Sequence, residues 1–289
     1  MLTHRSRIVV NHSKTIRNMN AKVKKAIETL KRAEKIALEL NPKDGFYVAF
    51  SGGKDSQCVL ELVKMAGVRY RAWYSVTGID SPQNIRFIRE NYEEVGFVFH
   101  RKNFIRLVEE NGLPMMNARF CCERLKEKLG AGNMLVDGIR AEESRKRAGY
   151  SELTVRSRRK ENKEKGRNRS LEEMEMNEHR CIKGKDRIDL HIILEWTEDD
   201  VWRFIRERGL TINPTYSKFG RVGCMVCPFA SRKQVERYMS ENPLYRKRIM
   251  LALERFLKKK CILPSAEVYF DWWLSNETLQ YYKERNGIE

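Results

Sequence analysis

No stretch of the 289-residue sequence approaches the run of about 20 apolar residues that a membrane-spanning helix requires. The opening residues, MLTHRSRIVVNHSK, lack the apolar segment of roughly 7–15 residues that marks a secretory leader. No segment recurs at the period of a solenoid. Acidic residues are in deficit, with 39 Asp and Glu against 57 Lys and Arg and a formal net charge of +18. These absences predict a soluble, cytoplasmic chain with no membrane partner, and the charge favours a polyanionic partner or substrate, nucleic acid first. Global disorder is excluded, because 41% of the residues are hydrophobic.

Seven cysteines are present: Cys58, Cys121, Cys122, Cys181, Cys224, Cys227 and Cys261. In a reducing cytosol, clustered cysteines point to metal or redox chemistry rather than structural disulfides. An odd total leaves at least one thiol outside any four-ligand set.

The hydrophobic pattern predicts an α/β fold. Val23, Ile27, Leu30, Ala33, Ile36 and Leu40 recur at helical spacing, and Asn41-Pro42 ends that helix. The apolar run 46–50 reads as a buried parallel strand followed by a glycine loop and a helix. Further strands are expected at 70–76, 97–100, 134–138 and 191–194, with a helix over 82–94. Strands alternating with helices imply a doubly wound parallel sheet that binds ligands at its C-terminal strand ends. Three parts are expected: a helical N-terminal segment (1–42), a nucleotide-binding domain (43–227) and a helical C-terminal appendage (228–289). Within 151–180, the stretch 155–170 carries eight Lys/Arg against two Glu and reads as a basic insertion ordered by a polyanion. A second basic stretch lies at 246–260. Trp272-Trp273 suits either a core or a base-stacking platform.

Ser51-Gly52-Gly53-Lys54-Asp55-Ser56 sits between the first strand and its helix. It lacks Walker A spacing, but the physics is related. Two glycines let the backbone approach phosphate oxygens, and the following helix start completes an anion nest. Ser51 and Ser56 add hydroxyls and Lys54 a point charge. Asp55 is placed to cap the helix or to hold Mg2+.

With this loop the sequence resembles the PP-loop ATP pyrophosphatases, in the branch containing phosphoadenylyl-sulfate (PAPS) reductases. Three more segments agree in order: Thr77-Gly78-Ile79-Asp80; Gly138-Ile139-Arg140-Ala141-Glu142-Glu143-Ser144 with Arg147; and Trp196-Thr197-Glu198-Asp199-Asp200-Val201-Trp202. The resemblance implies that residues 51–56 bind the phosphates of ATP, or of PAPS or adenylyl sulfate (APS). It implies that Gly78 and Asp80 lie near the adenosine, and that Gly138, Arg140, Ser144 and Arg147 face phosphate or a second anionic group. Lys54, Asp55 and Arg140 would be the catalytic residues.

Cys121-Cys122 and the CxxC of Cys224 and Cys227 suit zinc, redox or a reduced thiol group when read alone. With Lys126 four residues after the pair, they resemble the iron–sulfur members of this family, the APS reductases, in which both segments hold a [4Fe–4S] cluster. Cys181 is the substitute if one of the pair is not a ligand. Family reductases carry a nucleophilic cysteine in a tail, whereas this sequence ends YYKERNGIE and has only Cys261, in KKKCILP, as a late thiol. On this sequence, sulfonucleotide reduction is expected to lack its usual nucleophile. The reading favoured is ATP-dependent sulfur insertion into nucleic acid, as in DNA phosphorothioation or transfer-RNA thiolation, with a cysteine desulfurase as a candidate sulfur donor. The alternatives are a reductase using another thiol and a non-catalytic nucleotide- or nucleic-acid-binding regulator.

Overall fold

The computed structural model describes residues 4–157, 167–176, 178–182 and 186–288, with 4–18, Glu178 and Cys181 described by backbone alone. The chain divides into two compact units.

The first comprises Met1–Tyr74, Ile88–Gly96 and Gly130–Asn213. Its helix α1 (His4–Leu40) buries Met19, Ala26, Leu30, Ala33, Ile36 and Ala37 along one stripe. That is the stripe the 3.6-residue period predicts, with Val23, Ile27 and Leu40 half-buried on its flanks. Strand β1 (Phe46–Phe50) leads into α2 (Lys54–Ala66), which ends at Gly67 in the left-handed conformation that glycine adopts without strain. β1 pairs in parallel with β2 (Tyr70–Val76) on one side and β4 (Met134–Val136) on the other. β4 pairs in parallel with β7 (Arg187–Leu190).

The seven-stranded sheet has the order β3-β2-β1-β4-β7-β5-β6, with β3 at Val95–Phe99. From β1 the chain builds outward to β2 and β3, then returns to the other side of β1 to lay down β4. The crevice at the β1/β4 boundary is therefore the switch point of the sheet, where ligands of open α/β sheets bind.

The fold is the expected α/β type, with two differences. The sheet is mostly parallel rather than wholly so, because β5 (Leu153–Arg156) and β6 (Asn168–Arg169) run antiparallel at one edge. They lie within the stretch read as a basic insertion, whose central part, 158–166, falls outside the described residues. The last expected strand, 191–194, is a buried turn, and the strand precedes it at Arg187–Leu190. The reason is electrostatic. Arg187 and Asp189 are buried in that strand and pair with each other at 2.6 Å, while Arg156 of β5 also pairs with Asp189. Charges paired in this way can be buried, and because they occupy two of the strand's four positions it carries little of the apolar signal that marks buried strands.

The second unit comprises Ser75–Phe87, Phe97–Leu129 and Pro214–Glu289, so the division passes through β2, β3 and α3 (Pro82–Asn91). Its core is helical. Phe104, Leu107 and Val108 of α4 (Phe104–Asn111) pack with Ile249, Leu253 and Phe256 from a later helix. Trp272 and Trp273 belong to this core: the Trp273 indole donates to the Pro114 carbonyl at 2.8 Å and Trp272 to that of Glu277 at 3.1 Å. Buried with their N–H groups satisfied, they serve packing rather than base stacking.

Candidate functional site

In the first unit the chain leaves β1 at Ser51, and Gly52 takes φ +75°, a value open to glycine at little cost. Ser56 closes the loop. Its hydroxyl accepts from the Ser51 amide at 3.2 Å and donates to the Gly53 carbonyl at 2.8 Å. Asn213 donates from its side chain to the Gly52 carbonyl at 2.8 Å, fixing the loop from the far end of the unit. Gly53 is the residue that caps α2 and has no side chain to do so. The first turn of this 13-residue helix therefore has no side-chain cap from its N-cap residue, at the place where the sequence leads us to expect an anion.

Two segments meet this loop. After β4 comes Asp137 and then Gly138, where a Cβ would lie 2.9 Å from Asp55 Cβ and 3.0 Å from the Asp55 carbonyl carbon. Only a residue without a side chain allows that approach. Gly138→Ala is expected to destabilise the fold by about 1–3 kcal/mol through overpacking and to weaken nucleotide binding. Thermal unfolding and calorimetric titration with ATP measure both effects.

The second segment is the start of α8 (Glu198–Glu207), whose entry is held by a Thr197–Asp200 capping box. This numbering follows α5 (Phe120–Leu125), α6 (Arg145–Ala148) and α7 (Leu171–Glu175). Glu198 so placed reaches Lys54 Nζ at 3.3 Å and Arg140 Nη2 at 2.7 Å.

Arg140 is the hub, and its side chain is nearly fully buried. Nε donates to Asp55 Oδ1, Nη1 to Glu142 and Nη2 to Glu198, each at 2.7 Å. Lys54 donates to Asp55 Oδ2 at 2.8 Å. Burial opposes the charge on Arg140, but the carboxylates of Asp55, Glu142 and Glu198 outweigh it and hold the guanidinium above its ordinary pKa. Burial likewise opposes ionisation of Glu198, yet Lys54, the Trp202 indole and Arg140 keep its carboxyl below the usual range. Two cations and three carboxylates leave this cluster with a formal charge of 2 − 3 = −1. A nucleotide polyphosphate is repelled by a net negative site unless a divalent cation accompanies it.

Ser144 caps α6 by accepting from the Arg147 amide at 3.3 Å, and Arg147 pairs with Glu143. Below Gly138, a buried chain runs from Asp137 Oδ1 to His191 Nδ1 at 2.7 Å and from His191 Nε2 to Thr154 at 3.0 Å. Asp137 also accepts from the Ile139 amide at 3.2 Å, bracing the turn that carries Arg140.

The second unit holds Gly78, Asp80 and the paired cysteines. Gly78 takes φ +77°. The Thr77 hydroxyl donates to Asp80 Oδ2 at 2.9 Å, Lys126 stands 3.6 Å from Asp80 Oδ1, and the backbones of Asp80 and Cys224 form an antiparallel bridge. Asp80, which the resemblance places near the adenosine, is thereby built into the surroundings of the cysteine set.

Cys121 and Cys122 lie on α5, where the Cys121 thiol hydrogen-bonds Cys122. That bond, reinforced by Lys126 and Arg119 against the effect of burial, pushes the Cys122 pKa below the ordinary thiol range. Cys224 is pushed up to about 11 by burial, which the Lys126 ammonium, 3.2 Å from its sulfur, partly offsets. Cys227 lies three residues on, within electrostatic reach of Cys224. Among the described residues no three His, Cys, Asp or Glu side chains gather around a single ion position. The side chain of Cys181 lies outside the described residues, and its backbone belongs to the first unit.

A family model for the phosphoadenosine phosphosulfate reductase domain matches residues 45–230, well over half of the chain. The chain belongs to this family. Two uncharacterized proteins of Methanocaldococcus jannaschii, MJ0973 and MJ0066, are each 27% identical to it, over 72% and 68% of this chain. The chain spans 47% and 38% of their lengths, less than half of either. Among solved structures it is similar to the U34-tRNA thiolase NcsA of Methanococcus maripaludis with its [4Fe-4S] cluster, at 16% identity, TM-score 0.40 and 79% and 80% coverage of the two chains. It is also similar to a PAPS reductase of Candida auris, at 12% identity, TM-score 0.41 and 68% and 93% coverage. Likenesses this loose carry no argument about chemistry.

Within the family domain, four residues that sequence reasoning left without a role shape the two sites. Glu142 and Glu198 stand inside quoted motifs, but only the fold shows them converging on Arg140. Lys126, read only as part of the cysteine motif, proves to contact both Cys224 and Asp80. Asn213 had no signal at all, being a single polar residue 161 positions from its partner. No helix among the described residues is long and apolar enough to cross a membrane.

Proposed function

We propose that the chain is an ATP pyrophosphatase that adenylylates an acceptor for sulfur insertion into a nucleic acid. The observation that carries this reading is the start of α2: a helix N-terminus without a side-chain cap, entered through Gly52-Gly53, with Lys54 and Asp55 in its first turn at the sheet's switch point. In the step proposed, an acceptor oxygen bonds to the α-phosphorus of ATP as the bond to the β-phosphate oxygen breaks, and pyrophosphate leaves. The terminal sulfur of a donor persulfide, such as that of a cysteine desulfurase, then attacks the adenylylated centre and AMP leaves. A thiol reductant attacks the resulting disulfide, freeing the thiolated product and forming a disulfide with the donor cysteine. The loop amides and Lys54 hold the polyphosphate and offset charge growing on the leaving group. Mg2+ is favoured beside Asp55 by the local charge of −1, and takes a carboxylate oxygen there in place of a contact that Arg140 or Lys54 now makes.

The donor set of Cys121, Cys122, Cys224 and Cys227 suits a [4Fe–4S] cluster, which takes each thiolate on a different iron and so does not need them to converge on one point. A cluster so held would have a thiolate on every iron and would supply one-electron chemistry rather than an open iron for sulfur. Lys126 balances the thiolate charge. The exposed Arg246, Lys247, Arg248, Lys258, Lys259 and Lys260 supply the phosphate contacts expected of a nucleic-acid acceptor. A second reading, a sulfonucleotide reductase, is favoured by Cys261 alone: this exposed thiol lines a cavity of about 620 Å3.

The test is anaerobic purification with iron and sulfide analysis, then a pyrophosphate assay with ATP, with and without transfer RNA or DNA. Iron and sulfide in equal amounts, with pyrophosphate release stimulated by nucleic acid and weakened by rising salt, are the expected results. Sulfite from PAPS or APS, without pyrophosphate from ATP, would move the assignment to the reductase. Binding without either product would make the chain a regulator.

A further inference from the structure

Tyr245 lies in the first turn of α11 (Pro243–Lys260), the helix that follows α9 (Thr215–Phe219) and α10 (Arg232–Glu241). Helical spacing puts it on the stripe of Ile249, Ala252, Leu253 and Phe256, which faces the core of the second unit. Its ring is only partly covered, but the hydroxyl is buried and has no hydrogen-bond partner among the described residues. A buried hydroxyl in that condition costs about 1–3 kcal/mol relative to one that is paired, and three other phenols of the same core avoid the cost. Tyr282 donates to Asp271 at 2.9 Å and Tyr238 to the Arg221 carbonyl at 3.1 Å, while the Tyr269 oxygen accepts from the Leu113 amide at 3.3 Å. The Tyr245 hydroxyl lies instead within the electrostatic reach of Cys224, Asp80 and Cys121, and Cys122 and Cys224 pack against the same core. A phenol holds its proton at neutral pH, so the oxygen acts as a donor.

We propose that Tyr245 is a positioning residue of the cysteine site, whose O–H donates to a sulfur of the [4Fe–4S] group held by Cys121, Cys122, Cys224 and Cys227. The inference rests on the cluster assignment made above. Such a bond strengthens as the cluster gains an electron, because the sulfurs become more negative. Tyr245 therefore favours the reduced state, and the phenol takes a partner that the described residues do not supply.

The experiment is a redox titration of the anaerobically purified protein with dithionite, followed by the electron paramagnetic resonance of the reduced cluster. Wild type, Tyr245→Phe and, as a control, Tyr282→Phe are compared, with iron and sulfide measured for each. Phenylalanine keeps the ring in the core and removes only the hydroxyl. The expected result is unchanged iron and sulfide in all three, with reduction of Tyr245→Phe about tenfold less favourable, a shift of about −59 mV for one electron. Tyr282→Phe should match wild type. Wild type without iron and sulfide overturns the cluster assignment and this inference with it. A loaded wild type and a loaded Tyr245→Phe with the same potential overturn the inference alone.

Discussion

Lys54→Ala is expected to lower kcat for pyrophosphate release from ATP by about 10²–10³-fold, the usual cost of removing one preorganised electrostatic donor. Its ammonium is fixed rather than free to wander: it stands 2.8 Å from Asp55 and 3.3 Å from Glu198, with the side chain about 10% exposed. A charge held in place by the protein needs no reorganisation when negative charge builds on the departing pyrophosphate. The fold should survive, because alanine is a good helix former at the first position of α2 and Arg140 still engages both Asp55 and Glu198. The decisive comparison is between kcat and KM. A fall in kcat with KM little changed places Lys54 in the transition state, whereas a rise in KM alone makes it a ground-state phosphate contact. Unaltered kinetics would remove the loop from the chemistry.

Much of this site was legible because its chemistry is local. Strand, glycine loop and helix follow one another within 46–66, and the turn after β4 needs only one short segment. What escaped was long-range. Arg140 and Glu198 are 58 positions apart, and nothing in either segment says that they meet. The β7 strand escaped for another reason, since its buried, paired Arg187 and Asp189 take two of its four positions from the apolar run that betrays a strand. The antiparallel edge of β5 and β6 was hidden by the high charge around it, although only one face of an edge needs to be apolar. In the second unit, the cysteine motif was plain, but the unpartnered hydroxyl of Tyr245 is a property of packing and has no sequence signature.

Arg140→Ala is the substitution expected to cost the fold most. It strips a buried guanidinium from Asp55, Glu142 and Glu198 at once and leaves the local charge at 1 − 3 = −2 instead of −1. Breaking a buried ion pair by removing one partner costs about 3–5 kcal/mol, because the other charge stays behind uncompensated. Here Glu142 and Glu198 are each about half exposed and water recovers part of their solvation, so the lower end, about 3 kcal/mol, is expected. For a chain of this size that corresponds to a fall in Tm of about 5 °C. Arg140→Lys keeps the charge but not the three-way fork, and should recover part of the loss. The added negative charge beside the phosphate loop should also weaken ATP binding, more so at low ionic strength, where it is least screened. Scanning calorimetry and titration with ATP at two salt concentrations separate the two effects. An unchanged Tm with weaker ATP binding would mean that the three ion pairs cancel their own desolvation and that Arg140 acts on the ligand alone.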